Sequence, residues 1–358
     1  MPKPAELTTL GISAFKSIAL QPALPAALLI LLDRVPREML AHFIDPAKLH
    51  YYLGTPQARN VLKIFLALGV VRLVNRWLSA AALNNWSFST RSTWHWQSEL
   101  AVVTGGCMGI GRSIVDGLVA RGVQVAILDV APLPEDLAKI STVKYWKCDI
   151  TVPDEVRAAA DDIRRRIGHP SILINNAGIV NSTSILDTPD EFLKKIMGVN
   201  LMSLWYTTKE FMPNMILKDK GHIITVASMA SYVAVPTAAH YSATKSGALA
   251  FNEALKAEIK HIHRAAGVLT TSVHPMWVDT NLTAPFGDRI RKTQGKMLGP
   301  EDVARPVLKQ IFSGKGGHVF APAETSWISV VRGLPSWMQE TLRDVAGKDS
   351  SAMYKNEH

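Results

Sequence analysis

Short apolar runs alternate with longer stretches of helical periodicity through the middle of the chain. Leu100-Ala101-Val102-Val103, Val123 to Leu128, Ser171-Ile172-Leu173-Ile174 and His222 to Val226 are too short for helices. They are almost wholly apolar, the pattern of strands buried on both faces. Candidate helices lie between them, over Arg112 to Arg121, Glu155 to Ile167 and a long stretch spanning Met197 to Met215. Thr151, with Pro153 in the first turn and Asp154 three residues on, has the look of an N-cap for the second of these. The alternation predicts an α/β fold, a doubly wound parallel sheet covered by helices on both sides.

The first 98 residues break this pattern. They are rich in Leu, Ala and Trp, and their ten basic against four acidic residues carry +6 of the chain's formal +9. Two apolar stretches stand out: Ile18 to Leu32, interrupted by Gln21, Pro22 and Pro25, and Val61 to Leu83, interrupted by Lys63, Arg72 and Arg76. Neither is a clean run of the ~20 apolar residues that a spanning helix wants. Both have the composition of segments that lie in the headgroup plane, where Trp77, Trp86, Trp94 and Trp96 also suit an interface. The alternative is that these helices pack on the remainder of the chain or on a second subunit. The first apolar run ends in Asp33-Arg34 with no small-residue cleavage pattern, so no cleaved secretory signal is expected.

The expectation is therefore a helical, membrane-associated extension over 1–98, on a membrane such as the endoplasmic reticulum or on a lipid droplet, with the rest facing the cytosol. That remainder is only mildly basic and contains no recognisable nucleic-acid module. The positive charge thus points to an anionic lipid surface and not to DNA or RNA. Cys107 and Cys148 are too few to ligate zinc, so no metal is expected.

Candidate chemistry begins at Thr104-Gly105-Gly106-Cys107-Met108-Gly109-Ile110-Gly111, between the first strand and the first helix. A glycine turn in that position lets backbone approach a pyrophosphate, and it aims helix N-terminal amides at it. The next strand ends in Asp129, close to the ~20-residue offset at which an acid binds adenosine ribose hydroxyls. A carboxylate there disfavours the extra phosphate of NADP. Val130, Ala131 and Pro132 follow it and the turn carries Cys107 and Met108 where a cation could stand, so NAD is expected and NADP is kept as possible. Arg112 could reach a phosphate, although a solvated helix residue is the simpler account.

Tyr241 and Lys245 stack a phenol and an ammonium on one helical face. A free tyrosine titrates near ~10, and bringing it to about 7 means stabilising the phenolate by roughly 4 kcal/mol. The Lys245 cation has the right sign, and a group titrating near the working pH suits proton exchange with a substrate oxygen.

These residues resemble the short-chain dehydrogenase/reductase family over about Glu99 to Pro322. The glycine turn is similar to its T-G-x-x-x-G-x-G and Asn175-Asn176-Ala177-Gly178 to its N-N-A-G, while Ser228 stands thirteen residues before Tyr241, as its catalytic serine does. The resemblance implies a Rossmann fold with catalytic residues Asn200, Ser228, Tyr241 and Lys245. Ser228 would hold the substrate oxygen, Lys245 would also bind the nicotinamide ribose, and Asn200 would support a water relay behind the lysine. It implies cofactor contacts from Gly105, Cys107, Met108, Gly109, Ile110, Gly111, Asp129, Asn176, Ala177 and Gly178, and from Asp149 and Ile150 at the adenine. Val278 and Thr280 would lie beside the nicotinamide, in a stretch where Met276 replaces the family's usual glycine. That departure puts the local backbone and pocket in question.

Within the family the chain most resembles the retinol and 17-beta-hydroxysteroid dehydrogenase branch. With mostly apolar or small loops at Ile179 to Leu186, Met229 to Val235 and Asn281 to Leu298, this implies a retinoid, steroid or long-chain lipid alcohol or carbonyl. Trp327 to Met338 either closes the pocket, touches membrane or packs on the domain, and a frayed polar tail is expected after Ala346. The expected division is thus 1–98, 99–322 and 323–358. The long helix carrying Asn200 belongs, in the family, to subunit contacts, so a homodimer is expected. The rival reading is a catalytically weak NAD(H)-binding scaffold at a membrane or lipid-droplet surface.

Overall fold

The computed structural model describes residues 21–354 apart from 37–38, 40–41, 43–44 and 91–92. Residues 18–20, which begin the first apolar stretch, and residues 355–358 of the expected tail lie outside the described residues. The chain divides into two compact units between Ala82 and Leu83, ahead of the boundary expected at residue 98.

The first unit contains helices α1 (Ala23–Asp33), α2 (Pro46–Leu53) and α3 (Pro56–Leu83), with Arg59 paired to Asp33. At 28 residues, α3 is about 42 Å long. Val61, Ile64, Leu68, Val71, Val74 and Trp77 on it are all exposed. Lys63, Arg72 and Arg76 interrupt this apolar surface, and no helix among the described residues is long and apolar enough to cross a membrane.

In the second unit the four apolar runs seen in the sequence become β1 (Leu100–Thr104), β2 (Gln124–Asp129), β4 (Ile172–Asn175) and β5 (Gly221–Val226), and the structure adds β3 (Val143–Lys147), β6 (Val268–Pro275) and β7 (Gly317–Ala321). All pair in parallel, in the order β3-β2-β1-β4-β5-β6-β7. The order reverses between β1 and β4, the place where an open sheet of this kind leaves a crevice at its strand ends.

Alternation along the strands divides the core. Ala101 and Val103 face one side with Ile114, Val115 and Val307, from α4 (Gly109–Val119) and from Pro300–Phe312. Leu100 and Val102 face the other side with Val156, Phe211 and Leu255. These come from α5 (Pro153–Arg166), α7 (Ser203–Leu217) and α8 (Ala239–His261), with α6 (Asp190–Met197) just ahead of α7.

Several sequence expectations change here. Trp94 and Trp96 stack on each other at 5.2 Å, and Trp96 meets Phe312 edge-on. Both pack against the core of the second unit instead of facing lipid. Thr151 is not the N-cap of α5: Val152 is, because the Thr151 hydroxyl donates to Asp149 Oδ1 at 2.8 Å. The stretch expected as one helix over Met197 to Met215 contains a π turn, Gly198–Met202, between α6 and α7. Beyond β7, a 3-10 run (Ala323–Gly333) leads into a last helix (Ser336–Tyr354), so the polar stretch after Ala346 is helical to Tyr354. Both belong to the same compact unit as the sheet.

Candidate active site

Ser228 follows β5 and caps a 3-10 turn, Met229–Ser231, its Oγ accepting the Ala230 N–H at 3.1 Å. The Ser228 side chain is also near enough to the Tyr241 phenol to favour its ionised form. Tyr241 and Lys245 stand one turn apart near the start of α8, with Lys245 Nζ 5.7 Å from the Tyr241 ring centroid. Lys245 is buried and donates to the Val226 carbonyl at 2.8 Å. Burial depresses its pKa from 10.5 to about 8.

The phenol does not behave as the sequence led us to expect. Burial pushes the Tyr241 pKa above its usual value of 10, against a smaller lowering from the Ser228 hydrogen bond. Lys245 is itself desolvated and turned to a backbone carbonyl, so it does not bring the phenol toward neutrality. At neutral pH Tyr241 is a protonated acid.

The π turn buries Asn200, whose Oδ1 accepts the Ile179 N–H at 2.8 Å. Its Nδ2 donates to the Ile179 carbonyl at 2.9 Å and to Thr244 Oγ1 at 3.2 Å. The side chain is thus a brace between the loop after β4 and α8. Gly178 borders that junction, where a Cβ would make ordinary contacts at 3.5 Å with both Asn200 Oδ1 and Lys245 Nζ.

A cavity of about 1050 Å³ runs past these groups. Gly105, Met108, Gly109 and Ile110 line it from the glycine turn, and Asp129 lines it from the end of β2. Gly109 has φ +58°, a conformation that glycine adopts without strain. Cys107 and Gly111 do not line the cavity. The Cys107 side chain turns into the core, where burial and the neighbouring Asp129 push its thiol up to about 12. A Cβ on Gly111 would fall 2.1 Å from the Gly105 carbonyl oxygen, so this residue sets the closeness of turn and helix.

Asp149, Ile150, Asn176, Ala177 and Gly178 also line the cavity, as do Val278 and Thr280. The Asp149 carboxylate accepts the Thr151 N–H at 2.9 Å. Asn176 Nδ2 donates to the carbonyls of Thr104 and Gly105, both at 3.0 Å, which ties the N-N-A-G loop to the glycine turn. The residues present fit a nicotinamide dinucleotide: a left-handed glycine, helix amides and a strand-end carboxylate converge on one crevice.

At the other end the lining is mainly apolar, with Met229 and Val235 from one expected loop and Leu282, Phe286 and Ile290 from another, the latter segment also contributing Asn281, Thr283 and Arg289. Met276 lines it too and lies outside the positive-φ residues, so its backbone does not require the glycine it replaces. Its N–H donates to the Ala321 carbonyl at 2.8 Å.

Some site residues were not singled out in the sequence. Thr104 Oγ1 accepts the amides of Asn176 and Ala177 at 3.0 and 3.1 Å, and its place at the head of the glycine turn was the available signal. Leu342 and Val345, far along the chain, also close on the apolar end beside Trp327, Ile328 and Val331. Nothing local in the sequence marks the first two.

Comparison with known proteins bears on the same residues. The family described as short chain dehydrogenase matches residues 99–290. Dehydrogenase RED2 of Cochliobolus heterostrophus is 40% identical over 208 residues, covering 58% of this chain and 77% of that one. Estradiol 17-beta-dehydrogenase 11 of Macaca fascicularis is 29% identical over 252 residues, covering 68% and 82%. Among solved structures, a short-chain type dehydrogenase/reductase from Mycobacterium marinum superposes with a TM-score of 0.56 at 25% identity, over 62% of this chain and 93% of that one.

Proposed function

The chain belongs to the short chain dehydrogenase family and is therefore an NAD(P)-dependent oxidoreductase acting on CH–OH groups; on that premise we propose that it interconverts a hydrophobic alcohol and its carbonyl, with NAD as the cofactor. The observation that carries this reading is the continuity of the cavity. It runs from the Asp129 carboxylate, past Ser228, Tyr241 and Lys245, to an end walled by Phe286, Trp327 and Leu342. A ligand buried among such side chains gains about 25 cal/mol for each Å² of apolar surface removed from water, whereas a sugar or hydroxy acid would leave polar groups unpaired there.

The dinucleotide, when bound, supplies or accepts the hydride. The chain's own residues manage the substrate oxygen. Ser228 donates a hydrogen bond to it, which stabilises the charge that develops as the C–O bond order changes. Tyr241 exchanges a proton with it, and Lys245, behind the phenol, is placed to bind ribose hydroxyls. NAD is favoured over NADP because Asp129 is flanked in the cavity lining by apolar Leu128 and Val130.

The retinoid, steroid or long-chain lipid class is in keeping with the apolar walls and with the similarity to estradiol 17-beta-dehydrogenase 11. The exposed apolar surface of α3, set with Lys63, Arg72 and Arg76, supports association with an anionic membrane or lipid-droplet surface, of the endoplasmic reticulum for instance, from the cytosolic side. Exposed Met202 and Trp205 at the π turn and α7 support a homodimer.

The test is NADH formation by detergent-purified full-length protein given NAD and a panel of retinoid, steroid and long-chain alcohols, with small hydroxy acids as controls. Turnover confined to the hydrophobic members is the expected result. Turnover of the small polar alcohols alone would overturn the substrate class.

A further inference from the structure

A chain of buried polar groups that does not line the cavity stands behind Ser228. His274, wholly buried on β6, places Nδ1 3.3 Å from the Ser228 carbonyl oxygen. Its Nε2 lies 2.8 Å from Ser272 Oγ and 3.4 Å from the Tyr232 hydroxyl. Ser272 Oγ in turn lies 2.5 Å from His318 Nδ1. The His274 ring stacks on Phe320 at 5.1 Å, which holds its plane.

The direction of every proton in this chain follows from its last member. A carbonyl only accepts, so His274 Nδ1 carries the hydrogen. Burial holds His274 far below the neutral range, so the ring has one N–H and Nε2 is an acceptor. Ser272, nearer than Tyr232, gives its proton to Nε2, and its oxygen then receives the His318 Nδ1–H. The chain ends on a backbone carbonyl that takes up no proton, so it delivers none to the reaction. What it fixes is geometry. The Ser228 carbonyl also accepts the Ser231 N–H at 3.0 Å, so the peptide is pinned from two sides while Ala230 N–H pins the hydroxyl.

We propose that His274 is a positioning residue: its Nδ1–H, oriented by Ser272 and His318, holds the Ser228 segment so that the serine hydroxyl points at the Tyr241 phenol. The inference rests on the role given to Ser228 in the proposed function and on its nearness to the Tyr241 phenol.

The test compares His274→Asn, whose amide N–H takes the place of Nδ1, with His274→Gln, whose amide takes the place of Nε2. In full-length protein the Tyr241 phenolate is titrated by ultraviolet absorbance, as the difference between each variant and its Tyr241→Phe counterpart. NADH binding serves as the control for an intact fold. The Gln variant should titrate at higher pH than wild type, because the Ser228 hydrogen bond lowers the phenol. Its kcat on a hydrophobic alcohol oxidised by the wild type should fall by roughly 10- to 100-fold, as for a small misplacement of a catalytic group. The Asn variant should stay near wild type, and in a Ser228→Ala background the Gln change should add nothing.

A Gln variant that titrates with the wild type overturns the proposal, as does an Asn variant displaced as far as Gln or a Gln effect that persists in full without Ser228. If the Gln variant does not fold, Ser272→Ala decides by the same titration, an upward shift supporting the proposal and no shift overturning it. Ser228→Ala alone separates the two levels. If it leaves the phenol and kcat unchanged, the role given to Ser228 fails; if it alters both while His274 is silent, only the positioning role fails.

Discussion

The Asp129 carboxylate accepts the Cys107 N–H at 3.0 Å, which binds the end of β2 to the glycine turn that it faces. Its second oxygen accepts the Ala131 N–H at 3.0 Å. Arg112, the turn's nearest candidate cation, is committed to Asp116 at 2.9 Å and to Asp136. A ribose phosphate would therefore meet an anchored carboxylate with no free cation from Arg112. Asp129→Ala should lower the NAD-to-NADP ratio of kcat/KM by about 10-fold or more, the size of a charge repulsion removed at a partly solvated site. It should also lower stability by about 1–2 kcal/mol, because two amides lose their acceptor. An unaltered ratio would refute the role given to this acid.

Lys245 illustrates a cost of function. Its pKa falls from 10.5 unfolded to about 8 folded, so between those values the unfolded chain holds a proton that the folded protein has lost. Stability rises with pH across that window, and the penalty is complete below about 8. The difference corresponds to about 3 kcal/mol as an upper bound, offset by the hydrogen bond to Val226. Lys245→Met should thus raise the melting temperature at pH 7 while abolishing turnover. A lower melting temperature at pH 7 would show that the buried ammonium is stabilising.

At acid pH the sign is carried by histidines. Burial depresses His222 from 6.5 to about 3 and His274 from 6.5 to about 4. Below 6.5 the unfolded chain takes up protons that the folded protein refuses, so stability falls as pH drops toward 4. His222→Phe should flatten the slope of melting temperature against pH between 6.5 and about 4, and an unchanged slope would remove His222 from this account.

The catalytic pH dependence has two limbs. With the Tyr241 phenol raised by burial, alcohol oxidation, which needs a proton acceptor, should rise from neutral into alkaline pH. Carbonyl reduction, which needs the protonated phenol, should be level over the same range. Profiles of kcat/KM in the two directions check this, and an oxidation rate that is flat from neutral pH upward would contradict it.

Removal of residues 1–82 should leave NADH binding intact, because the cavity is built wholly from later residues. It should shift the protein from the membrane fraction to the soluble one. Retention on membranes would move the lipid contact to the second unit, where Trp327 and Trp337 are exposed.

What the sequence disclosed was what is local. The glycine turn, the Tyr241 and Lys245 pair and the buried strands each depend on residues a few positions apart, and each occurs where the pattern placed it. Trp94 and Trp96 misled because an amphipathic ring suits a membrane interface and a core margin equally well, and only Phe312 distinguishes the two. The phenol was misjudged because the sign of a neighbouring cation is visible in sequence whereas burial is not. Leu342, Val345 and the His274 chain were not legible because tertiary packing alone brings them to the site.

The most direct test of the account is the comparison of Tyr241→Phe with wild type in NADH binding and in turnover of a hydrophobic alcohol. The account predicts nearly unchanged NADH binding with turnover reduced by orders of magnitude, since the ring stays and only the exchangeable proton is lost. Turnover equal to that of the wild type would contradict it.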